Sequence, residues 1–259
     1  MLDDWNTDRV DRFRAEAASR GLPTDEVDTW IRRALPGVYW ARGGDGPVSA
    51  RLGGDPPLPV DAPDPSFPFV ASIDCGLLPS GAAGLPLPSD GHLLFFAEPD
   101  PGFTGPVADA VRHVSARTPT AARADTGHEP FAPQEMRTTW HHLSPPDPES
   151  FAEARWEEPD DEQYELADEL QSAWTHVGGS WPVWTFALGG HPIVINDDPL
   201  FLARDSEPEA GDADEWVLLA TWRCDADVAE LDSGVISWLI RRQDLASLRF
   251  DRVYGHVGM

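Results

Sequence analysis

The sequence contains no lysine: its 19 basic residues are all arginine, and 45 acidic residues bring the formal net charge to -26. The missing lysine excludes a phosphate-binding loop of the Gly-x-x-x-x-Gly-Lys type. So acidic a chain repels nucleic-acid phosphates and anionic membrane surfaces, and we expect neither as a partner. If charge selects a partner, that partner is a basic protein or peptide.

Cysteine and long apolar runs are also scarce. Two cysteines, Cys75 and Cys224, do not make a disulfide framework. The longest apolar runs, such as residues 235–240, are too short to span a bilayer. The N-terminal residues lack the basic and apolar regions of a signal peptide. We therefore expect a cytoplasmic protein with reduced thiols, and we leave its oligomeric state open.

Spacings typical of metal and nucleophile sites are absent as well. The chain has no His-x-x-x-His or Cys-x-x-Cys pair and no Gly-x-Ser-x-Gly elbow. The 45 acids are too many to single out a pair of catalytic carboxylates. We therefore expect no metal and no cofactor, and we assign no catalytic residue.

What is present is a change of periodicity along the chain. Trp5, Val10, Phe13 and Ala17 recur at helical spacing, and residues 23–35 form a second amphipathic helix. Later segments are short, apolar and bounded by Gly, Pro, Ser and Asp, which is typical of strands. Two further helices are predicted at residues 161–174 and 243–248. Strands are predicted at residues 67–74, 91–100, 109–116, 135–143, 183–188, 192–195, 215–222 and 234–241.

The two halves of the chain follow the same order of motifs. Gly53–Gly54 matches Gly178–Gly179, and the strands that follow carry Cys75 and Cys224 at equivalent places. From glycine pair to cysteine the distance is 75 − 54 = 21 residues in the first half and 224 − 179 = 45 in the second, which indicates an insertion. We interpret this as an internal duplication.

These patterns predict an α+β fold. An internally duplicated antiparallel β-rich unit forms one pseudo-symmetric body, with the N-terminal helices packed on it. The predicted boundaries are 1–36 for the helical segment and 37–259 for the duplicated domain. Within that domain we expect a first unit at about 48–143, a helical connector at about 160–174 and a second unit at about 175–259.

Five short motifs, in this order, resemble those of the YwqG-like family of bacterial proteins. The matching residues are Ser49, Gly53, Gly54, Pro56, Leu58, Pro59, Ile73, Asp74, Gly91, Leu93, Phe95, Phe96, His176, Gly178, Gly179, Asp232 and Gly234. Ser72, Glu230 and Leu231 replace a Gln, a Trp and a Gly of the family pattern. The family is similar in turn to the eukaryotic programmed cell death protein 2 and Tsr4 group, which is associated with escorting a basic ribosomal protein. It also occurs near secreted-toxin loci. Both associations imply a protein-binding module.

The candidate binding residues follow from these motifs. The glycine pairs are turns that begin strands or, alternatively, a backbone platform at the seam between the halves. Asp74 and Asp232 cap local turns or accept a basic side chain of a partner. Trp181 and Trp184, in a Gly/Pro-rich context, can receive arginine or lysine. The full set is Gly53, Gly54, Asp55, Asp74, His176, Gly178, Gly179, Trp181, Trp184, Asp232 and Gly234.

Three functions remain open at this point. We expect a chaperone-like or toxin-neutralising binding module for a basic partner, which predicts an acidic groove near the seam. A hydrolase-type enzyme predicts that His176 clusters with Asp74 or Asp232 in one pocket. A small-ligand sensor predicts an apolar pocket lined by tryptophan.

Overall fold

The computed structural model describes residues 4–43, 46–79, 81–178, 184–207, 215–224, 228, 231 and 234–259. Within them it is a mixed α/β structure with six α-helices and thirteen strands. The helices are α1 (Asp4–Ser19), α2 (Thr24–Arg33), α3 (Pro148–Arg155), α4 (Asp161–Gly178), α5 (Pro199–Asp205) and α6 (Arg242–Ala246). The strands are β1 (Leu35–Ala41), β2 (Val48–Leu52), β3 (Pro57–Pro59), β4 (Phe69–Asp74), β5 (His92–Phe96), β6 (Gly105–Pro106), β7 (Val111–Val114), β8 (Thr120–Ala122), β9 (Gln134–Ser144), β10 (Phe186–Gly189), β11 (Trp216–Arg223), β12 (Val235–Arg241) and β13 (Tyr254–Gly258). Among these helices, none combines the length and the apolar character that a membrane span requires.

Eleven of the strands form one antiparallel sheet, in the order β6-β13-β12-β11-β10-β1-β9-β2-β4-β5-β7. β3 and β8 form a separate two-stranded sheet. In the large sheet β1 and β9 are central neighbours. A meander of four strands extends from each of them: β2-β4-β5-β7 beside β9, and β10-β11-β12-β13 beside β1.

The large sheet curls back on itself, because strands far apart in its order touch through their side chains. β5 and β12 are separated by six strands in that order. Nevertheless the rings of Phe95 and Trp238 lie 5.3 Å apart, and Trp238 Nε1 donates a hydrogen bond of 3.0 Å to the carbonyl of Phe96. The main hydrophobic core fills the inside of this curl and contains residues from both meanders.

The continuous apolar run of β5 predicts a strand covered on both faces, and this is confirmed: Leu93, Leu94, Phe95 and Phe96 are all fully buried. Leu93 and Phe95 belong to the main core, whereas Leu94 and Phe96 pack in a smaller cluster that includes Leu58 of β3. β5 is therefore covered by the small sheet on its outer side, although it lies next to the edge strand β7.

The N-terminal helices join α3 and α4 in a layer with its own hydrophobic core. Phe13 of α1 meets Trp174 of α4 at 5.0 Å between ring centroids, and Trp30 of α2 meets Phe151 of α3 at 4.9 Å. The amide of Leu143 in β9 donates to Asn6 Oδ1 of α1 at 3.1 Å, which fixes this layer to the sheet. The predicted packing of the N-terminal helices against the β-rich body is confirmed.

The two meanders pair their strands in the same way. In each, the ladder between the second and third strands has one bulge, between Phe69 and Ala71 in the first and between Leu218 and Ala220 in the second. The cross-strand rows next to these bulges are Leu52–Ala71–Phe95 and Leu188–Ala220–Trp238.

Buried cysteines occupy matching places in the two meanders. The amide of Cys75 donates to the carbonyl of Gly91 at 2.9 Å, just before β5 begins. The amide of Cys224 donates to the carbonyl of Gly234 at 3.0 Å, just before β12 begins. Burial raises the pKa of the Cys75 thiol to about 12, which leaves it a small apolar core residue rather than a reactive thiolate.

A glycine pair ends the first strand of each meander. Gly53 and Gly54 follow β2 with φ of 61° and 74°, and Gly189 and Gly190 end and follow β10 with φ of 67° and 76°. This corrects the match of Gly53–Gly54 with Gly178–Gly179. Gly178 is the last residue of α4, so it ends a helix where Gly53 follows a strand, and Gly179 lies outside the described residues.

The structure differs from the sequence prediction in several segments: the sequence pattern predicts a strand at residues 192–195, and it predicts none of β1, β2, β3, β6, β8, β13, α3 and α5. Residues 192–195 form no strand, only an isolated bridge between Ile195 and Asp197. Pro192 lacks a ladder N–H, and the preceding positive-φ glycines turn the chain out of the sheet. β2 (Val48–Leu52) is flanked by Gly and Pro residues, which are typical of turns, so the sequence pattern does not predict a strand there. β1 begins at Leu35, directly after α2, where the apolar stripe of the helix masked the start of the strand.

Candidate functional site

The predicted glycine residues at the end of β2 make a backbone turn. Gly53 N donates to the carbonyl of Val70 at 2.7 Å, and Gly54 N donates to the carbonyl of Phe131 at 2.8 Å. Asp55, next along the chain, borders a recess of about 10 Å³, which has room for about one water molecule. These three residues thus form a turn beside a recess too small for an organic ligand.

Asp74 ends β4, His176 and Gly178 lie together at the end of α4, and Gly234 precedes β12, so the motif residues come from three separate parts of the fold. Asp74 Oδ1 accepts a hydrogen bond of 2.9 Å from Gly76 N, the local turn cap expected of it. His176 is exposed in the last turn of α4, which ends at Gly178. Within the described residues no hydrogen bond or ion pair joins His176 to Asp74. Gly179, Trp181 and Asp232 fall outside the described part of the chain.

Trp184 is the predicted site residue that borders a large cavity. This cavity, the helix–sheet cleft, has a volume of about 450 Å³ and lies between the helical layer and one face of the sheet. Its lining includes Arg9, Gln171, Trp174 and Thr175 from the helices, Tyr39, Ala187, Thr221 and Arg223 from the strands, and Ser144, Asp147, Trp184 and His191 from connecting segments and strand ends. The volume is in the range of pockets that hold small organic ligands.

Two arginine–tryptophan pairs face this cleft. The guanidinium of Arg9 lies 4.5 Å from the ring centre of Trp174, and that of Arg223 lies 5.3 Å from the ring of Trp184. Tyr39 meets Trp184 edge to face, with ring centroids 5.3 Å apart. Stacking on aromatic faces holds a guanidinium in a fixed orientation while leaving its N–H edge free to donate.

The charge states of the cleft follow from burial. Burial lowers the pKa of Arg9 to about 10, so its guanidinium still carries a positive charge at neutral pH. Burial also raises the pKa of Tyr39 to about 12, against the opposing effects of a hydrogen bond with Ser144 and the charge of Arg9. Tyr39 is therefore a neutral hydroxyl, and the floor of the cleft is cationic.

Several buried polar atoms of the lining have no hydrogen-bond partner among the described residues: Gln171 Oε1, Trp174 Nε1 and Thr221 Oγ1. A buried polar group without a hydrogen bond is costly, so these groups favour a water molecule or a ligand as their partner. The three atoms are enclosed behind the cleft surface on opposite sides, since Gln171 and Trp174 lie on α4 and Thr221 lies on β11.

The two groups of the cleft best suited to acid–base chemistry each use one atom in the fold. Asp147 Oδ1 accepts a hydrogen bond of 3.0 Å from Ser150 N and caps α3. His191 Nε2 lies 2.8 Å from the carbonyl of Arg33, to which it must donate. The described residues contain no group of three or more His, Cys, Asp or Glu arranged to hold a metal ion.

Sequence reasoning missed most of this site. Arg9 stands four residues before the buried Phe13, so it lies on the buried stripe of α1, and an arginine on an apolar face is the signal that could have revealed it. Arg223 directly follows the apolar run of β11, and Tyr39 lies in a strand that was not predicted. No local motif links these three residues.

The comparison with known proteins places this architecture in a family. The sequence model of a domain of unknown function, DUF1963, matches residues 50–257. The chain belongs to the DUF1963 family. Of the cleft, Trp184, Thr221 and Arg223 lie within the DUF1963 match, whereas Arg9 and Tyr39 precede it. No curated protein matches the chain.

We expect the free energy of unfolding to fall from about pH 7.5 to about pH 5.5 through two buried histidines. Burial lowers the pKa of His191 and of His256. Below about pH 6.5 the unfolded chain therefore binds protons that the folded protein does not. Each histidine then lowers the free energy of unfolding by at most about 1.4 kcal/mol per pH unit of acidification. Asp197 and Asp198 near His256 oppose the shift without reversing it.

Urea unfolding of the wild type and of His256→Asn at both pH values measures this effect. The wild type should lose about 1 kcal/mol more than the variant on acidification. Because both chains carry the same carboxylates, the comparison removes their contribution. An equal loss in the two proteins would show that His256 is not held neutral in the folded state.

Proposed function

We propose that this protein is a non-catalytic binding module whose ligand site is the helix–sheet cleft. The observation that carries the proposal is the convergence, in one cavity of about 450 Å³, of two arginine–tryptophan pairs with buried polar atoms that lack partners among the described residues. Pockets that combine an apolar lining with a few convergent polar groups are the usual small-ligand sites of proteins.

The arrangement favours binding over catalysis. Catalysis by acid–base transfer needs a side chain that is free to exchange a proton with a ligand. In the cleft, the carboxylate of Asp147 caps a helix and the ring of His191 donates to a backbone carbonyl. The remaining charged groups of the described lining are the guanidiniums of Arg9 and Arg223, which position anions and do not exchange protons near neutral pH.

The test is native mass spectrometry of the protein purified from its own cells without denaturation. Thr175 is exposed on α4 and borders the cleft, so Thr175→Trp narrows the opening without disturbing the core. His176→Trp adds the same ring at the next exposed position, outside the lining. We expect a retained small molecule with the wild type and His176→Trp, and none with Thr175→Trp. Equal occupancy in all three would exclude the cleft.

A basic protein or peptide is the second candidate partner, and the net charge of -26 favours it. Since the cleft floor is cationic, such a partner would bind the acidic exterior and not the cleft. One strongly acidic surface lies on α3, α4 and their connection, where the exposed acids are Glu149, Glu153, Glu157, Glu158, Asp160, Asp161, Glu162, Glu165, Asp168 and Glu169. A pull-down at low and moderate salt tests this: capture of a basic protein that weakens with salt and with Gln or Asn at 162, 165 and 168 supports it.

We also propose that the two meanders descend from one duplicated unit. The support is their shared register, the bulge at the same place in each, the equivalent cysteine amide bonds and the positive-φ glycine pair after the first strand. With this alignment the glycine-to-cysteine distance is 224 − 190 = 34 residues in the second unit, which leaves a shorter insertion containing α5. We further propose that the chain is related to YwqG-like proteins and, more distantly, to the programmed cell death protein 2 group. A cytoplasmic location is also a proposal.

A further inference from the structure

We infer that the helix–sheet cleft takes a small organic anion that carries a flat, conjugated ring. This inference rests on the proposed ligand-binding function of the cleft and names the chemical class of its ligand. Three features of the lining carry it: the sign of its charge, the shape of its walls and the donors that line them.

The charge of the cleft opposes that of the whole chain. Arg9 and Arg223 both face it in a protein with a net charge of -26. The side chain of Arg223 forms no ion pair or hydrogen bond among the described residues; its contact there is the ring of Trp184. Asp147 Oδ1 caps the N-terminus of α3, and among the described residues no ion pair joins Asp147 to Arg223. A ligand anion supplies the missing negative charge.

The walls of the cleft suit a flat ring. Trp174, Trp184 and Tyr39 contribute aromatic surface to the same cavity, and the Tyr39 and Trp184 rings meet at an interplanar angle of 71°. Such an edge-to-face corner accepts a planar ligand against one ring face while a second ring bounds its edge. A guanidinium stacked on a tryptophan presents its N–H groups along its edge. A carboxylate or phosphate attached to the ligand ring would accept hydrogen bonds from that edge.

The remaining donors agree with an anionic ligand. Trp174 Nε1 is a donor only, and Thr221 Oγ1 can donate; both are buried without partners among the described residues. A cationic ligand would meet the partly exposed guanidinium of Arg223, which carries its own sign. A neutral ring would cover the apolar surface but would give the guanidinium of Arg223 no anionic partner.

The experiment compares two fluorescent probes of nearly the same shape, 8-anilinonaphthalene-1-sulfonate and N-phenyl-1-naphthylamine, which differ in the anionic group. Each probe is titrated into the full-length wild type and into the full-length Arg223→Gln, Arg252→Gln and Thr175→Trp variants. Arg252 is exposed and does not line the cleft, so Arg252→Gln removes the same charge elsewhere.

We expect the sulfonate to bind the wild type at least about tenfold more tightly than the neutral probe, and Arg223→Gln to weaken the sulfonate by at least about tenfold. Arg252→Gln should have no such effect, and Thr175→Trp should weaken both probes. Displacement of the sulfonate by 2-naphthoate or by 2-naphthyl phosphate then tells which anionic group the cleft prefers.

The outcomes separate the inference from the function on which it rests. Equal affinities for the two probes, both lost in Thr175→Trp and unchanged in Arg223→Gln, would overturn the anionic ligand class and keep the cleft as a binding site. Binding of both probes that Thr175→Trp leaves unchanged would overturn the cleft itself.

Discussion

Alanine at Gly189 is expected to lower the free energy of unfolding by about 3 kcal/mol, and alanine at Gly53 by a similar amount. Both residues have positive φ, 67° and 61°. A Cβ at Gly189 would meet the carbonyl oxygen of Ala83 at 2.5 Å, and one at Gly53 would meet the carbonyl oxygen of Phe131 at 2.5 Å. Each substitution therefore adds a backbone clash to the cost of a left-handed conformation, and urea unfolding measures the sum.

The matched control is Gly127→Ala. Gly127 has φ of 79°, but a Cβ there meets no atom within 4 Å. It should cost only the conformational part, about 1 kcal/mol. Similar large costs at Gly53 and Gly189 agree with the proposed duplication. A cost at Gly189 as small as that at Gly127 would show that the turn after β10 relaxes, and that the two turns are not equivalent.

This glycine pair illustrates where sequence reasoning stops. Gly53–Gly54 and Gly189–Gly190 both stand in a Leu-Gly-Gly-x-Pro motif, at residues 52–56 and 188–192. The closer match is therefore present in the sequence. The prediction pairs Gly53–Gly54 with Gly178–Gly179 because a glycine pair alone does not reveal whether a strand or a helix comes before it. Only the strand pairing of β10 with β1 and β11 makes the distinction.

The most reliable predictions came from long apolar segments. The runs in β5, β11 and β12 are nearly or wholly buried in both faces, as a continuous apolar pattern implies. Large aromatic side chains fill the interior, and Trp30, Trp40, Trp174, Trp222 and Trp238 are all fully buried. Short strands such as β2, whose neighbours are Gly and Pro, depend on pairing with β4 and β9, which is not local information.

The candidate site was beyond sequence reasoning for a related reason. Arg9 of α1, Trp174 of α4 and Arg223 of β11 come from distant parts of the chain, and each is unremarkable alone. Of the residues predicted from motifs, Trp184 is in the cleft, while Gly53, Gly54 and Asp74 form turns. Motifs that direct the backbone and residues that line a cavity are therefore different sets in this fold.

Removing the side chain of Arg249 is expected to cost about 3 kcal/mol of unfolding free energy. Arg249 Nη2 forms an ion pair with Oδ1 of Asp244, whose side chain is 1% exposed. Without Arg249 the buried carboxylate of Asp244 has no charged partner. It also forms no hydrogen bond among the described residues that could replace the ion pair. Urea unfolding of Arg249→Ala measures the loss.

The double-mutant cycle with Asp244→Asn separates charge from packing. Asp244→Asn removes the buried charge and leaves Arg249, which is 46% exposed, to be hydrated. In that background Arg249→Ala should cost less than about 1 kcal/mol. If Arg249→Ala cost the same with and without the Asp244 charge, its contribution would come from packing and the ion-pair account would be wrong.

The central claim is that the helix–sheet cleft is the ligand site of this DUF1963 protein. The most direct measurement is a crystal structure of the protein purified from its own cells without denaturation. We predict density for a planar molecule beside Trp184, with its anionic end at the guanidinium of Arg223. Water alone in the cleft, with a co-purified ligand bound elsewhere on the protein, would contradict the account.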